Sequence, residues 1–262
     1  MKILTLNCHS WQEEKQIEKI KYLAKVINEN NYDVIAMQEV SQSIDSDIVY
    51  ESIKEDNFAL LLNKELKNLG NDSYDFFWDM AHIGYEIYEE GLCLMTKLPI
   101  YSKERFTITN SKDYSFWKSR NLVKLKVKYE DKIVSFYSCH MGWWDDKEEP
   151  FENQAKILIQ DAEKENLAFV MGDFNNNANI RNEGYDYICK HLFDTYNLAK
   201  NKDEGITVKG KIAGWDDNEE KLRIDLVFVN KEVDVLSSNV IFNDINKNII
   251  SDHYGVEVNI NI

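Results

Sequence analysis

Short apolar runs of the kind that form buried strands recur along the whole chain and alternate with amphipathic helical segments. The first run covers residues 3–7, apolar residues then follow at helical spacing from Ile17 to Ile27, and a second run covers residues 33–36. This order of strand, helix and strand predicts a βαβ-like opening. Because strands and helices occur in both halves of the chain, we expect an α/β fold in which helices cover β-sheets.

The same patterns locate the later elements. Helices are predicted at residues 58–69, 152–164 and 185–190, and strands at 92–96, 105–109, 121–129, 132–140, 168–171, 223–229, 240–242 and 255–260. The strands between residues 92 and 140 are expected to form one meander, and alternation predicts that Lys124, Lys126 and Lys128 face solvent. No repeat or linker interrupts the pattern, so residues 1–262 are expected to form one domain.

Charge narrows the range of partners. Lys and Arg number 31 against 46 Asp and Glu, which gives a formal net charge of −15, and only four residues are arginines. Because nucleic acids are held largely by positive charge, this balance argues against a nucleic-acid ligand and favours a small substrate. The chain shows no apolar run of roughly 20 residues and no signal-like start, so we expect a cytoplasmic protein that does not bind a membrane, and we infer no protein partner. Its four cysteines form no CxxC pair and are expected to be reduced packing residues.

Polar residues border several of the apolar strands. They occur in six segments: TLN with Asn7, QE with Glu39, SCH with His140, GDFN with Asp173 and Asn175, ID with Asp225, and SDH with Asp252 and His253. The oxygen ligands of Asn7, Glu39 and Asp252 predict a site for Mg²⁺ or Mn²⁺ rather than zinc. The remaining histidines and carboxylates suffice to activate a water and to stabilise charge on a phosphoryl group. The set therefore predicts phosphoester hydrolysis.

These six motifs, in this order, resemble those of the endonuclease/exonuclease/phosphatase superfamily over a span from Asn7 to His253. The resemblance implies a metal-dependent hydrolase with a four-layer α/β sandwich, in which two packed mixed sheets are flanked by helices. It also implies that Glu39 binds the metal with Asn7 as its companion, and that Asp252 is an additional ligand. His253 would be the base that takes a proton from the attacking water, oriented by Asp225.

Further roles follow from the same resemblance. Asp173 matches the residue that positions the nucleophile and is a candidate ligand of a second metal ion. Asn175 and His140 match the groups that hold the phosphate oxygens and stabilise the developing charge. Glu90 lies where some members place an acid that pairs with the histidine matching His140.

Four segments, LNCHSWQEE, DVIAMQEVSQS, HIGYEIYEEGL and CHMGWWDDKEEPF, most resemble the bacterial maltose 6′-phosphate phosphatase group within that superfamily. This resemblance implies a phosphorylated disaccharide substrate that is cleaved to maltose and phosphate. Trp143 and Trp144 are candidates for a platform under the sugar, because adjacent residues of an extended chain cannot both face the core. Arg120, Lys118 and Lys209 are candidate phosphate contacts.

Two alternatives stay open. The first is a nuclease, or a phosphodiesterase acting on phospholipids or inositol phosphates, and the absence of arginine-bearing basic loops argues against the nuclease. The second is an inactive binding module, against which the intact set of motif residues argues. His9, His82 and His191 are expected to be structural residues.

Overall fold

Two β-sheets stack face to face between layers of helices in the computed structural model, which describes residues 1–262. The strands are β1 (Lys2–Asn7), β2 (Val34–Ser43), β3 (Ile48–Tyr50), β4 (Ile53–Lys54), β5 (Asp75–Gly84), β6 (Tyr88–Thr96), β7 (Ile100–Thr107), β8 (Asn121–Tyr129), β9 (Lys132–His140), β10 (Ala168–Asp173), β11 (Phe193–Asp194), β12 (Asn201–Lys202), β13 (Val208–Lys209), β14 (Lys221–Leu222), β15 (Asp225–Val229), β16 (Asp234–Ile241) and β17 (Gly255–Asn261). The helices are α1 (Gln16–Asn30), α2 (Phe58–Asn68), α3 (Phe151–Ala162), α4 (Gly184–Ile188) and α5 (Thr195–Leu198).

Both large sheets are mixed. The first has the strand order β12-β16-β17-β1-β2-β6-β5, and the second has the order β11-β15-β10-β9-β8-β7. The pairs β1 and β2, β12 and β16, and β9 and β10 run parallel, whereas the other neighbours run antiparallel. Two short hairpins, β3-β4 and β13-β14, lie outside the sheets.

Alternating side chains of each strand fill two different cores. In β1, Ile3 packs in the core between the two sheets, whereas Leu4 and Leu6 pack in the core beneath α1 and α2. The second sheet behaves in the same way, because Phe136 packs between the sheets and Tyr137 packs beneath α3. Burial on both faces makes four layers in the order helix, sheet, sheet, helix. This arrangement confirms the α/β sandwich that the sequence predicts.

The second helix, α2, has a side-chain cap at its start and one apolar face that packs against the first sheet. The side chain of Asn57 caps α2 by accepting a hydrogen bond from the backbone N–H of Leu60. Phe58, Leu62 and Leu66 recur every four residues and are buried against the first sheet. The longest helix, α1, has 15 residues, and no helix combines the length and apolarity of a membrane span.

Several expectations about individual elements were wrong. The predicted strand at 92–96 is part of β6, which pairs with β2 and β5 in the first sheet, so the meander contains only β7, β8 and β9. Lys124 is only 2% exposed, because α3 covers this face of β8 and the ammonium contacts Asp161 at 2.7 Å and Glu165 at 2.8 Å. Ile17 is 49% exposed, and Cys189 is exposed whereas the other three cysteines are buried.

Candidate active site

Three polar residues form a row across neighbouring strands of the second sheet. Asp173 at the end of β10 is in register with His140 at the end of β9 and with Asp225 at the start of β15. Alternate residues of the same strands, such as Phe136, Met171 and Val227, pack between the two sheets, so the alternation of a strand directs all three side chains to the same face. We call His140, Asp173 and Asp225 the three-strand row.

The first sheet presents Asn7 opposite this row. Asn7 follows Ile3 and Thr5 on the face of β1 that points between the sheets. Its Nδ2 donates to Oε1 of Glu39 at 2.7 Å and to Oδ2 of Asp173 at 3.2 Å, so one amide joins both sheets. Its Oδ1 accepts from the backbone N–H of His9 at 3.1 Å.

A β-bulge brings Glu39 to the same place. In β2, Gln38 and Glu39 together stand opposite the single residue Leu92 of β6, and Glu39 has a left-handed backbone with φ of 50°. Gln38 keeps the face between the sheets, where its Nε2 donates to Oγ of Ser138 at 2.9 Å. Strict alternation would send Glu39 toward the helices, and the extra residue instead directs its carboxylate to Asn7.

His253 and Asp225 form a buried pair. Nδ1 of His253 lies 2.9 Å from Oδ2 of Asp225, and both side chains are almost fully enclosed. Nε2 of His253 points the other way and lies 3.8 Å from Oδ2 of Asp173. Burial alone would lower the pKa of His253, but the carboxylates of Asp225 and Asp173 outweigh it and raise that pKa well above its usual value.

His140 lies between carboxylates without a hydrogen bond to any of them. Its Nε2 is 3.9 Å from Oε1 of Glu39 and 3.7 Å from Oδ2 of Asp173, and its Nδ1 is 3.9 Å from Oε1 of Glu90. Burial, reinforced by the charge of Arg120, lowers the pKa of His140 well below its usual value. The imidazole is therefore neutral at pH 7.

The segment after β10 fixes Asn175. Its backbone N–H donates to Oδ1 of Asp173 at 2.8 Å, and its φ is 48°. Its Nδ2 donates to the carbonyl of Met141 at 3.0 Å, and its Oδ1 accepts from Nε1 of Trp215 at 3.1 Å. These contacts hold the amide beside the three-strand row and leave one Nδ2–H uncommitted.

The centre of the site carries an excess of buried acids. Ligand atoms of Glu39, His140 and Asp173 all lie within 4.8 Å of one another. Burial, together with the charge of Glu39, raises the pKa of Glu90, and burial also raises the pKa of Asp173. A bound cation would stabilise the ionised form of these buried carboxylates. A group of oxygen ligands such as this one suits a hard divalent ion.

Asp252 belongs to a second cluster at the rim. Nδ1 of His9 lies 2.8 Å from Oε1 of Glu13 and 3.5 Å from Oδ1 of Asp252, and ligand atoms of the three lie within 4.8 Å of one another. Asp252 was expected beside Asn7 and Glu39, whereas the structure groups it with His9 and Glu13. Sequence reasoning treated His9 as structural and missed Glu13, although both lie close to Asn7 along the chain.

Most of these residues line one cavity of about 290 Å³, whereas Asn7, Glu13 and Asp225 lie outside its lining. Its wall includes Tyr85, Trp117, Trp143 and Ile212, and the rings of Trp117 and Trp143 meet edge to face at 6.0 Å. Trp144 does not line the cavity. It packs against Phe151 and Tyr187 beneath the second sheet, and its placement as a sugar platform is corrected accordingly.

The three basic candidates for phosphate contacts have different environments. Lys118 forms ion pairs with Asp146 and Glu148, each at 2.6 Å, and the ammonium of Lys209 lies over the ring of Tyr254. Neither lysine lines the cavity. Arg120 does line it.

His82 also lines this cavity and contacts Arg120, although it was expected to be a structural residue. Its Nδ1 is 3.3 Å from Nη1 of Arg120, and its Nε2 is 3.4 Å from Oε1 of Glu90. A one-residue bulge at Ala81 turns His82 inward. Burial and the charge of Arg120 lower the pKa of His82 to about 3, so its ring is neutral.

Comparison with known proteins places this arrangement in a family. The model of the Endonuclease/Exonuclease/phosphatase family matches residues 6–253. The structure is similar to that of an endonuclease/exonuclease/phosphatase family protein from Leptotrichia buccalis C-1013-b, with 40% identity, coverage of 100% of both chains and a TM-score of 0.93. No functionally curated protein matches the sequence.

More distant structures share the fold. A mannosyl-6-phosphatase from Bacteroides thetaiotaomicron VPI-5482 is 17% identical, with coverage of 100% of both chains and a TM-score of 0.73. A conserved protein of unknown function from Enterococcus faecalis V583 is 16% identical, with coverage of 100% of this chain and 99% of that one and a TM-score of 0.71.

The family match over residues 6–253 and the 40% identity to the Leptotrichia buccalis protein decide the family. The chain belongs to the endonuclease/exonuclease/phosphatase family, whose members hydrolyse phosphoester bonds.

Proposed function

We propose that this protein is a divalent-metal-dependent phosphatase that hydrolyses a sugar phosphate, with maltose 6′-phosphate as its substrate. The observation that carries the proposal is the placement of the three-strand row directly opposite Asn7 and Glu39, with His253 seated on Asp225. This arrangement combines a base for water, neutral groups for a phosphoryl oxygen and oxygen ligands for a cation.

His253 is the base in this proposal. Asp225 holds Nδ1 of its ring, and Nε2 beside Asp173 takes a proton from an attacking water when the ring is neutral, so activity should increase as the pH rises through the raised pKa of His253. The carboxylate of Asp225 then stabilises the imidazolium that forms, because it lies 2.9 Å away in a buried site. Asp173 orients the water through its Oδ2, which lies between the two residues Asn7 and His253.

His140 and Asn175 stabilise the phosphoryl oxygens. His140 is neutral and has no hydrogen-bond partner, so a ring N–H is available to an oxygen on which negative charge develops. The uncommitted Nδ2–H of Asn175 supplies a second donor. Glu90 lies 3.9 Å from Nδ1 of His140, beyond hydrogen-bonding distance, and lines the same cavity.

Mg²⁺ or Mn²⁺ fits the acid-rich centre. Glu39 would hold the ion, with Asn7 as its companion; Asp252 lines the same cavity but contacts His9, and we propose it as an additional ligand. When bound, such an ion neutralises charge on the phosphate oxygens and lowers the pKa of a bound water. The bulge at Glu39 and the hydrogen bond from Asn7 keep the carboxylate aimed at this position.

The substrate class follows from size, charge and aromatic content. A cavity of about 290 Å³ suits a small molecule rather than a polymer, and a net charge of −15 repels polyanions. Trp117, Trp143 and Tyr85 offer apolar surfaces to the C–H faces of a sugar. A structural neighbour is a mannosyl-6-phosphatase, which supports a phosphorylated sugar as the substrate.

A substrate panel tests the proposal. Metal-stripped protein is incubated with maltose 6′-phosphate, other sugar phosphates, a nucleotide and plasmid DNA, with and without added Mg²⁺ or Mn²⁺, while released phosphate and strand breaks are followed. We expect metal-dependent phosphate release that is fastest with maltose 6′-phosphate. His191→Ala, outside the cavity, serves as the active control. Strand breaks without phosphate release from any sugar phosphate would show a nuclease instead.

A further inference from the structure

Arg120 differs from the other three arginines of the chain. Arg105, Arg181 and Arg223 each form an ion pair with an aspartate, and Arg223 is as well buried as Arg120. Arg120 is 4% exposed, and no carboxylate lies within ion-pairing distance of its guanidinium. The carboxylates of Glu90, Glu39 and Asp173 act on this charge only from a distance, and a buried charge without a contacting partner is costly, so this position requires an explanation.

The hydrogen bonds of Arg120 engage only one end of its guanidinium. Nη1 contacts the carbonyl of Trp117 at 3.0 Å, that of Ser119 at 3.4 Å and Nδ1 of His82 at 3.3 Å. Nη2 makes no hydrogen bond, and Nε is buried without any partner. The N–H bonds of Nε and Nη2 point in the same direction, which is the edge that arginine uses to bind two oxygens of one anion.

Arg120 lines the active-site cavity, and its neighbours leave the Nε and Nη2 donors without a partner. Arg120 is the only lysine or arginine among the residues that line the active-site cavity. His82 and the carbonyl of Trp117 hold Nη1, so the guanidinium is already oriented before a ligand arrives. His82 is neutral and therefore accepts from Nη1 without adding positive charge.

We infer that Arg120 binds two oxygens of the substrate's terminal phosphoryl group and thereby makes the site selective for phosphomonoesters over phosphodiesters. A monoester carries nearly two negative charges at pH 7 and three non-bridging oxygens, whereas a diester carries one charge and two such oxygens. The two hydrogen bonds from Nε and Nη2 of Arg120 are strongest to the more highly charged group. This inference rests on the proposed phosphatase function and names the residue that makes the enzyme selective for phosphomonoesters.

Matched model substrates test the inference. p-Nitrophenyl phosphate and bis-p-nitrophenyl phosphate share a leaving group and differ in ester class, so kcat/KM for both is measured with metal-loaded wild type, Arg120→Met and Arg120→Lys. We expect Arg120→Met to lower kcat/KM for the monoester roughly 10–150-fold, the range for a hydrogen bond to a charged group, and that for the diester less than about threefold. Arg120→Lys keeps the charge but loses the fork, so its loss should be intermediate. Arg181→Lys, on the surface, is the control.

A binding measurement separates this role from a structural one. Inorganic phosphate should inhibit the wild type competitively, and its inhibition constant should rise in Arg120→Met by about the same factor as the loss of kcat/KM. Circular dichroism and thermal melting confirm folding, and if Arg120→Met does not fold, the ratio of the two activities in Arg120→Lys decides.

Two outcomes contradict the account in different ways. A wild type that hydrolyses the diester faster refutes the proposed phosphatase function, and this inference with it. A wild type that prefers the monoester, with an unchanged preference and phosphate affinity in both Arg120 variants, refutes the role of Arg120 alone.

Discussion

Asp225→Asn probes the buried pair that the proposed mechanism needs most. Oδ2 of Asp225 lies 2.9 Å from Nδ1 of His253, and the side chains of Asp225 and His253 are 0% and 4% exposed. The amide of asparagine has nearly the same shape and still accepts a hydrogen bond, but it carries no charge. The substitution therefore removes the electrostatic support of an imidazolium while leaving the packing intact.

The size of the effect follows from this geometry. A hydrogen bond to a charged group contributes about 1.5–3 kcal/mol, so kcat should fall roughly 10–150-fold. His253→Ala removes the base itself and should cost about 10²–10⁴-fold. Asp225 also raises the pKa of His253, so in Asp225→Asn the acidic limb of the kcat profile should move to lower pH. Steady-state phosphate release between pH 5 and pH 9 measures both effects.

The double variant is the decisive comparison. Because both residues act on one proton transfer, His253→Ala combined with Asp225→Asn should be little worse than His253→Ala alone. Asp234→Asn, an aspartate that pairs with Lys200 on the surface, is the matched control and should leave kcat unchanged. If the loss of kcat in the double variant equals the product of the losses in the two single variants, the two residues do not act as one unit. That result, or a loss of kcat under about threefold in Asp225→Asn, would refute the proposed role of the pair in catalysis.

Three further predictions concern metal, sugar and acid stability. Glu39→Gln should weaken Mn²⁺ binding by about tenfold or more in calorimetric titration without changing the circular dichroism spectrum, and unchanged affinity would remove Glu39 from the ligand set. Trp143→Ala should raise KM for maltose 6′-phosphate about 2–12-fold and leave KM for p-nitrophenyl phosphate unchanged, whereas Trp144→Ala should lower the melting temperature instead. Burial alone would raise the pKa of Glu165, but its two lysine partners lower it to about 2 from an unfolded value near 4.5. This stabilisation is complete above about pH 4.5 and is lost as the pH falls toward 2, so Glu165→Gln should lower the urea midpoint at pH 7 and flatten its fall in acid.

The parts of the fold that depend on short-range periodicity could be predicted from the sequence. Asn7, His140 and Asp173 end apolar strands, and a period of two directs their side chains into the space between the two sheets. The partners of each strand could not be derived, because pairing depends on contacts far apart in sequence. For that reason the sequence predicts neither the pairing of β6 with β2 nor the burial of Lys124 beneath α3.

The parts of the site that depend on irregular backbone escaped prediction. The orientation of Glu39 follows from a bulge that no periodic pattern reveals, and a second bulge turns His82 into the cavity. The pair Trp143 and Trp144 predicted one cavity residue, but only tertiary packing decides which one it is. That Nε of Arg120 is buried without a partner is likewise a property of the folded chain.

The most direct test of the proposed function compares two reactions in one metal-loaded preparation. Phosphate release from maltose 6′-phosphate and nicking of plasmid DNA are measured as kcat/KM under the same conditions, with His253→Ala as the inactive reference. We predict that maltose 6′-phosphate is hydrolysed with the higher kcat/KM and that His253→Ala abolishes this activity. Nicking at a comparable or higher kcat/KM than phosphate release would contradict the phosphatase assignment.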